Sequence, residues 1–533
     1  MAHYQDVTIP FGVPAPSPAP SAERKDLLAG LPVFRVANLA PLTEHHKTDY
    51  FNTFEENFTL TNGVNAQIPD YLDPAFTHFS GGTEREIVYR LPCLCAVDCV
   101  RLTLLRQDKV GVGMPYIVDI SVSENGEDWH CVSSTRRIPT DEPEKVYTLE
   151  KSFDGVYKAG WVKLRFDLSL HVWLENFSVY GTTAIPADAL TVKADPKDEK
   201  DVGHFAPYSD LCDTHNIVLV YNTFPPESEK TGQMTKEEAL RYVGYYDKSG
   251  TLKDTFIDGY LMLPYVKFCY SKWYKCGEGW RFFVDRTFED GLNVDAIEEA
   301  AKEVSDGLGY DVKTKLFLTV LHTNAGYGEH PDKFGELGGR EIDTHNLEDR
   351  KFAIKWCIDE QIRRYKEKAR PHTELCGFYW FEEGINYNDP LDPEAIRFTA
   401  EYLHSLGLKL FWIPYYQAWG YQNWKELGFD VASMQPNYAF RKDEPITRLY
   451  DNAKLCKQFG MAYEIELNGV WKEEDCIRYK DYLNVGAETG YMDSIKMYYQ
   501  DGRAFYTASK AEQPWAREVY DNTYLFAKEK YGR

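Results

Sequence analysis

Two short runs hold the carboxylates best suited to chemistry: Trp380-Phe381-Glu382-Glu383 and Tyr463-Glu464-Ile465-Glu466. Each closes an apolar, β-rich stretch, CGFYWFEE (376–383) and MAYEIELN (461–468), so the acids stand at strand ends. Side chains alternate along a strand, which puts Glu464 and Glu466 on one face. With Tyr463, Ile465 and Leu467 packed on the other side, that shared face is an interior one. Glu382 and Glu383 point to opposite faces and either could be the inward one; Glu383, at the strand-to-loop break before Gly384, is favoured. Inward acids are costly to bury unless they are used or paired. Used, carboxylates facing each other suit glycoside hydrolysis, where one protonates the leaving oxygen and another, ~5–5.5 Å away in retaining enzymes, attacks the anomeric carbon. Paired, they would form a rim network with Lys or Arg. For the first case the roles expected are Glu383 as general acid/base and Glu466 as nucleophile, with Glu464 and Glu382 tuning their charge, because a neighbouring carboxylate raises a pKa.

Other polar and aromatic residues near strand ends fit a sugar site: His322, Asn324, Trp380, Tyr415, Tyr416, Gln417, Gln435, Asn437, Tyr438 and Trp471. Amides and phenols exchange hydrogen bonds with hydroxyls, and aromatic faces cover the apolar side of a pyranose ring. A lone histidine such as His322 is more often a hydrogen-bonded structural residue, and Trp412 and Trp424 suit core or helix packing; Asn222 and Tyr265 are weaker candidates still. HExxH, paired CxxC, P-loop, GxGxxG after a strand and GxSxG are all missing. No metal and no cofactor is therefore expected.

The elements that would position these residues follow from the pattern of apolar runs. From about 208 to 533, β-rich runs alternate with amphipathic segments, and eight βα units over ~325 residues argue for a (β/α)8 TIM barrel, whose working end is the C-terminal end of its strands. The expected strands are 216–224, 258–266, 315–324, 376–383, 408–416, 429–437, 461–468 and 493–501. Residues 31–181 consist of short β-rich runs such as VRLTLLR and WVKLRFDL with turn signals between them, the signature of an all-β sandwich. Residues 1–30 read as an extended Pro-rich arm and 182–207 as a linker.

Composition narrows the partners. Lys plus Arg is 60 against 83 Asp plus Glu, a formal charge of −23 that repels nucleic acid and anionic membranes. An oligosaccharide or polysaccharide is the expected partner. Aromatic residues make up 15% of the chain, more than a core requires. Eleven cysteines, an odd number in sparse array, fit free thiols in a reducing compartment. Cys93, Cys95 and Cys99 sit in the apolar run LPCLCAVDCV and read as buried thiols rather than metal ligands. No apolar run reaches the ~18–20 residues of a spanning helix, and the N-terminus lacks a secretion signal. A cytoplasmic location is expected unless a signal has been removed.

Two resemblances add to this reading. GFYWFEEGINYNDP, LKLFWIPYYQAWGYQNWKELGFDVASMQPNYAF and GMAYEIELNG together resemble an uncharacterised bacterial family, number 4855 among the domains of unknown function, over roughly 210–530. That resemblance implies a barrel with glycoside hydrolase activity and no settled substrate. The placement of acids on strands four and seven is also similar to that of the large group of barrel glycoside hydrolases with the acid/base on four and the nucleophile on seven. LTNGV at 60–64, IVYRLPCLCAVDCVRL, ISVSENGEDW and FSVYG resemble the discoidin-like module, or coagulation factor type C, many of whose members bind carbohydrate; the usual Asp of its LTDG pattern is Asn62 here. A second function stays open beside the hydrolase: a non-catalytic carbohydrate-binding protein with a degenerate barrel.

Overall fold

In the computed structural model, the residues described are 5–7, 18–38, 60–80, 84–107, 110, 112–115, 117–136, 138, 142, 144–168, 171–195, 203–323, 333–386, 389 and 391–533. The chain divides into two compact units, residues 1–201 and 202–533, the stretch 386–390 aside. Among the described residues no helix is long and apolar enough to cross a membrane.

In the first unit, nine strands join in one antiparallel hydrogen-bonded network. Its backbone is two 24-residue strands, Glu84–Gln107 and Glu144–Asp167, paired over most of their length; His171–Thr182 and Arg35–Asn38 also pair with the former, Ile117–Ser123 with the latter. Alternation builds the core: Val162, Leu164 and Phe166 face inward with Leu102, Leu104, Leu174 and Phe177. The ladder shifts register between Arg90 and Cys95, a stretch that contains Pro92, which has no N–H to donate. The expected sandwich is thus corrected: continuous long strands carry the hydrogen bonding through one network, where the short β-rich runs of the sequence suggest separate sheets. Cys95 and Cys99 are buried free thiols and Cys93 is half-buried.

The second unit contains a closed barrel of eight parallel strands: Asn216–Thr223, Gly259–Pro264, Thr314–Val320, Thr373–Trp380, Lys409–Trp412, Val431–Met434, Ala462–Glu466 and Lys496–Tyr499. One apolar cluster takes a member from every strand, among them Ile217, Leu261, Phe317, Tyr379, Phe411, Val431, Ala462 and Met497. Only the barrel interior touches all eight strands, so these residues mark the inward face.

The TIM-barrel expectation is corrected by the connections. Helices do not alternate with the strands one for one. A two-stranded hairpin, Gly244–Tyr246 with Leu252–Thr255, follows the first helix of the barrel, and a second hairpin, Glu336–Leu337 with Arg340–Glu341, precedes helix Leu347–Lys366. Between the fifth and sixth strands there is no α-helix, only the 3-10 turn Tyr421–Asn423. The reason lies in two glycines in the left-handed region, Gly420 and Gly428, that bracket the seven residues 421–427. Seven residues are too few for a self-supporting helix, and the segment is held by burial of Tyr421, Trp424 and Leu427.

Among the glycines of the barrel strands, close approach is tightest where the fourth strand meets the fifth. A Cβ added at Gly377 would lie 2.4 Å from the Lys409 carbonyl oxygen, so only glycine fits. Gly377→Ala should lower the stability of the barrel by about 1–3 kcal/mol, the usual cost of overpacking; a denaturant midpoint equal to that of the parent protein would refute this close-approach argument.

Candidate active site

The fourth strand ends at Trp380, so Glu382 and Glu383 stand just beyond it. Tyr379 and Phe381 belong to or pack on the interior cluster, and Glu383 continues their alternation. On the seventh strand Ala462 is in the same cluster, and Glu464 and Glu466 follow it at two-residue steps. Register agrees: Glu464 lies beside Met497 and Glu466 beside Tyr499, which belong to or pack on the interior cluster.

Glu464 is 2% exposed and Glu466 1%. Burial drives Glu464 well above the ordinary carboxylate range, and the charges of Glu466 and Glu383 push the same way. Burial also takes Glu466 up to about 8, with Glu383 adding to the rise. Opposing this, the Tyr482 hydroxyl donates to Glu466 Oε2, and the backbone amides of Tyr438 and Ala439 favour the anion. Tyr482 in turn accepts from the Ala439 N–H at 3.1 Å. Glu466 Oε1 is buried without a hydrogen-bond partner. Glu383 is reached by solvent, yet it sits deep enough that loss of surrounding water is the main influence, raising it to about 7; Glu382 adds to the rise and a hydrogen bond from Gln435 opposes it. The structure therefore brings Glu383 within electrostatic reach of Glu464 and Glu466, and among the described residues the charges acting on Glu383 and Glu464 are other carboxylates.

Glu382 faces the other way: its Oε1 accepts from the Tyr274 hydroxyl at 3.2 Å, and its carbonyl from Trp412 Nε1 at 2.6 Å. Of the remaining sequence candidates, Gln435 and Tyr415 belong with the acids. The Gln435 amide spans Glu383 and the Ile413 carbonyl, while the Tyr415 N–H donates to the Glu383 carbonyl and its ring lies against Gly384. Gln417 and Asn437 are half-buried residues in the left-handed region on the loops after the fifth and sixth strands. Trp471 follows the seventh strand with its side chain beside Gly469, and at 75% exposure it is a free aromatic face.

Four candidates are engaged elsewhere. Trp380 is fully buried on the outer face opposite Tyr379, edge-on to His322. His322 is itself buried and meets Asp392 at 2.5 Å; burial would lower its pKa, but Asp392 reverses this and holds it above the usual histidine value. Tyr416 donates to Asp451 beneath Arg448, and Tyr438 donates to Asp481 at 2.8 Å with Arg478 over its ring. Asn324 lies outside the described residues. Of the weaker candidates, Asn222 is buried and bonds Thr287, and Tyr265 stacks on Phe224.

Residues not singled out from sequence complete the site. Tyr221, Tyr379 and Tyr499, from the first, fourth and eighth strands, all feel the carboxylates. Their signal was the same alternation: each sits two residues beyond, or within, the interior cluster's own register. Tyr482 had none, being on helix Glu473–Thr489.

The family model described as Domain of unknown function (DUF4855) matches residues 216–525. Among solved structures, the chain is similar to the C-terminal domain of a chitobiase from Bacteroides fragilis (15% identity, 30% of this chain and 98% of that one, TM-score 0.21). It is also similar to CpGH89CBM32-6 produced by Clostridium perfringens (12% identity, 24% and 89%, TM-score 0.18) and to a Streptococcus pneumoniae fucose binding module (10% identity, 30% and 96%, TM-score 0.21). No curated protein matches the chain.

The raised acids have a consequence for stability. The folded state keeps protons on groups that the unfolded chain, ionising near pH ~4.3, has given up. Stability contributed by the protonated forms is therefore lost as pH rises from ~4–5 toward 8. Glu464→Gln, which cannot ionise, should melt at a higher temperature than the parent at pH 8 and at the same temperature near pH 4.5. Parallel melting curves across that range would contradict the burial of an unpaired acid.

Proposed function

The chain belongs to the family described as Domain of unknown function (DUF4855), and we propose that this member is a retaining glycoside hydrolase acting on an oligosaccharide or polysaccharide. One observation supports the reading above others: an acid that follows the fourth strand and two on the seventh line one interior face, all three are raised mainly by burial, and the charge of Glu383 acts on both Glu464 and Glu466. Catalytic carboxyl pairs are recognised by this divergence of environments. Glu383, raised to about 7 and open to solvent, holds a proton near neutral pH and can hand it to a leaving glycosidic oxygen. Glu466 is the nucleophile. It receives the Tyr482 hydroxyl where Glu464 has no donor among the described residues, so of the strand-seven pair it is the one that can carry charge. Burial holds it at about 8 in the free protein, above Glu383 at about 7, so the reactive form is the one in which the acids keep the proton on Glu383 and the charge on Glu466. Its carboxylate attacks the anomeric carbon as Glu383 protonates the departing oxygen; Glu383, now a carboxylate, then takes a proton from the water that cleaves the glycosyl-enzyme. Trp471 is the exposed ring on which a sugar face would rest.

Azide decides the roles. Glu466→Gly should abolish turnover of aryl glycosides, and added azide should restore it with inverted product. Glu383→Ala should spare substrates with good leaving groups, which need little protonation. If neither change affects turnover, the hydrolase reading fails; if no glycoside is cleaved by the parent protein while sugars bind, the barrel is a binding module.

The hydrogen bond from Tyr482 has its own signature. Tyr482→Phe removes a donor that favours the Glu466 anion, so the acidic limb of the kcat/KM profile should move up by about 0.5–1 pH unit. An unmoved acidic limb would exclude Glu466 as the group titrating there.

A further inference from the structure

The mechanism leaves Glu464 without a task. It is buried, faces the barrel interior beside Met497, and has neither hydrogen bond nor ion pair among the described residues. Below it lie the apolar side chains of the interior cluster, and the groups around it that titrate are Glu383, Glu466 and the phenols of Tyr379 and Tyr499. A buried acid in such surroundings is stabilised by a cation. The protein supplies none: no ion pair among the described residues includes Glu383, Glu464 or Glu466, and none of the leading influences on the three is basic. A metal ion does not answer the need, because no group of three His, Cys, Asp or Glu side chains among the described residues is arranged to hold one.

We propose that the cation arrives with the substrate: Glu464 receives a protonated primary amine carried on the sugar ring, and the polymer bound is one of amino sugars whose amines are free rather than acetylated. This rests on the carbohydrate half of the proposed function and does not require cleavage. An ammonium has three donors and a compact charge, enough to satisfy Glu464 and reach a second carboxylate such as Glu383. An N-acetylated or neutral sugar would leave the acids as they are and gain nothing from their charge, which is discrimination by an unmatched group. The net charge of −23 attracts the same polycation from a distance.

Proton linkage provides the test. Acids that keep their protons in the free protein must give them up to meet an ammonium, so binding should expel protons at pH 7. Full-length protein is titrated calorimetrically with tetramers of glucosamine and of galactosamine and with their N-acetylated counterparts, in two buffers of different ionisation enthalpy. One of the amine tetramers should bind at least about tenfold more tightly than its acetylated form, the scale of one matched charge pair. It alone should show a buffer-dependent heat that reports proton release. Glu464→Gln, nearly isosteric, should erase both the preference and the release. Equal or tighter binding of the acetylated tetramers, no binding by any of the four, or a preference that survives Glu464→Gln would each overturn the proposal. If the amine tetramers bind as stated and are not cleaved, the hydrolase reading falls and this one stands; if neutral glycosides are cleaved while the amines do not bind, the reverse holds.

Discussion

Carboxyl groups repel one another, and water normally hides this. At the mouth of the barrel water has been largely removed from around Glu464 and Glu466, and partly from Glu383, without a basic residue among the described ones to take its place. The cheapest answer open to such groups is to keep their protons. That makes each of them sensitive to the donors around it: a phenol and two backbone amides on Glu466, one side-chain amide on Glu383, and none on Glu464 among the described residues. The differences in their chemistry come from these donors, since the residue type is the same in all three.

Holding the acids in this arrangement falls to the barrel and not to the loops. Glu464 and Glu466 are fixed by the register of the seventh strand against the eighth, where Met497 and Tyr499 stand beside them. Glu383 is beyond its strand, but Gly377 lets the fourth and fifth strands approach, and Trp412 and Tyr415 then bond the backbone of Glu382 and Glu383.

Much of this was legible in the sequence, for a simple reason. Period-two alternation in AYEIE assigns both glutamates to one face, and apolar neighbours fix which face that is. The same rule applied to YWFEE selects Glu383, once Tyr379 is recognised as inward. It also bears on Trp380, which the structure buries on the outer face: four consecutive aromatic residues, 378–381, hide the alternation, and a buried tryptophan and a sugar platform look alike in one dimension. Tyr416 and Tyr438 pose the same difficulty, because a phenol that serves Asp451 or Asp481 carries no mark of it in the sequence. Tyr482 reaches Glu466 from a helix, and no spacing rule connects them. As for the fold, the sequence offers eight strands but no helical segment between LKLFWIPYY and FDVASMQPN; that gap is real, and regular alternation was the wrong inference from eight good strands.

The glycine-bracketed crossover at 421–427 makes the barrel wall unequal around its circumference. Most of the other strands are followed by an α-helix of 13 residues or more; here a short crossover covers the wall, anchored by Trp424 Nε1 on the Phe459 carbonyl at 3.1 Å. Gln435 lies just past the strand that this crossover delivers, and its amide is the one dipole that opposes the rise in Glu383. The short crossover therefore takes part in setting the acidity of Glu383, through the strand end that it delivers.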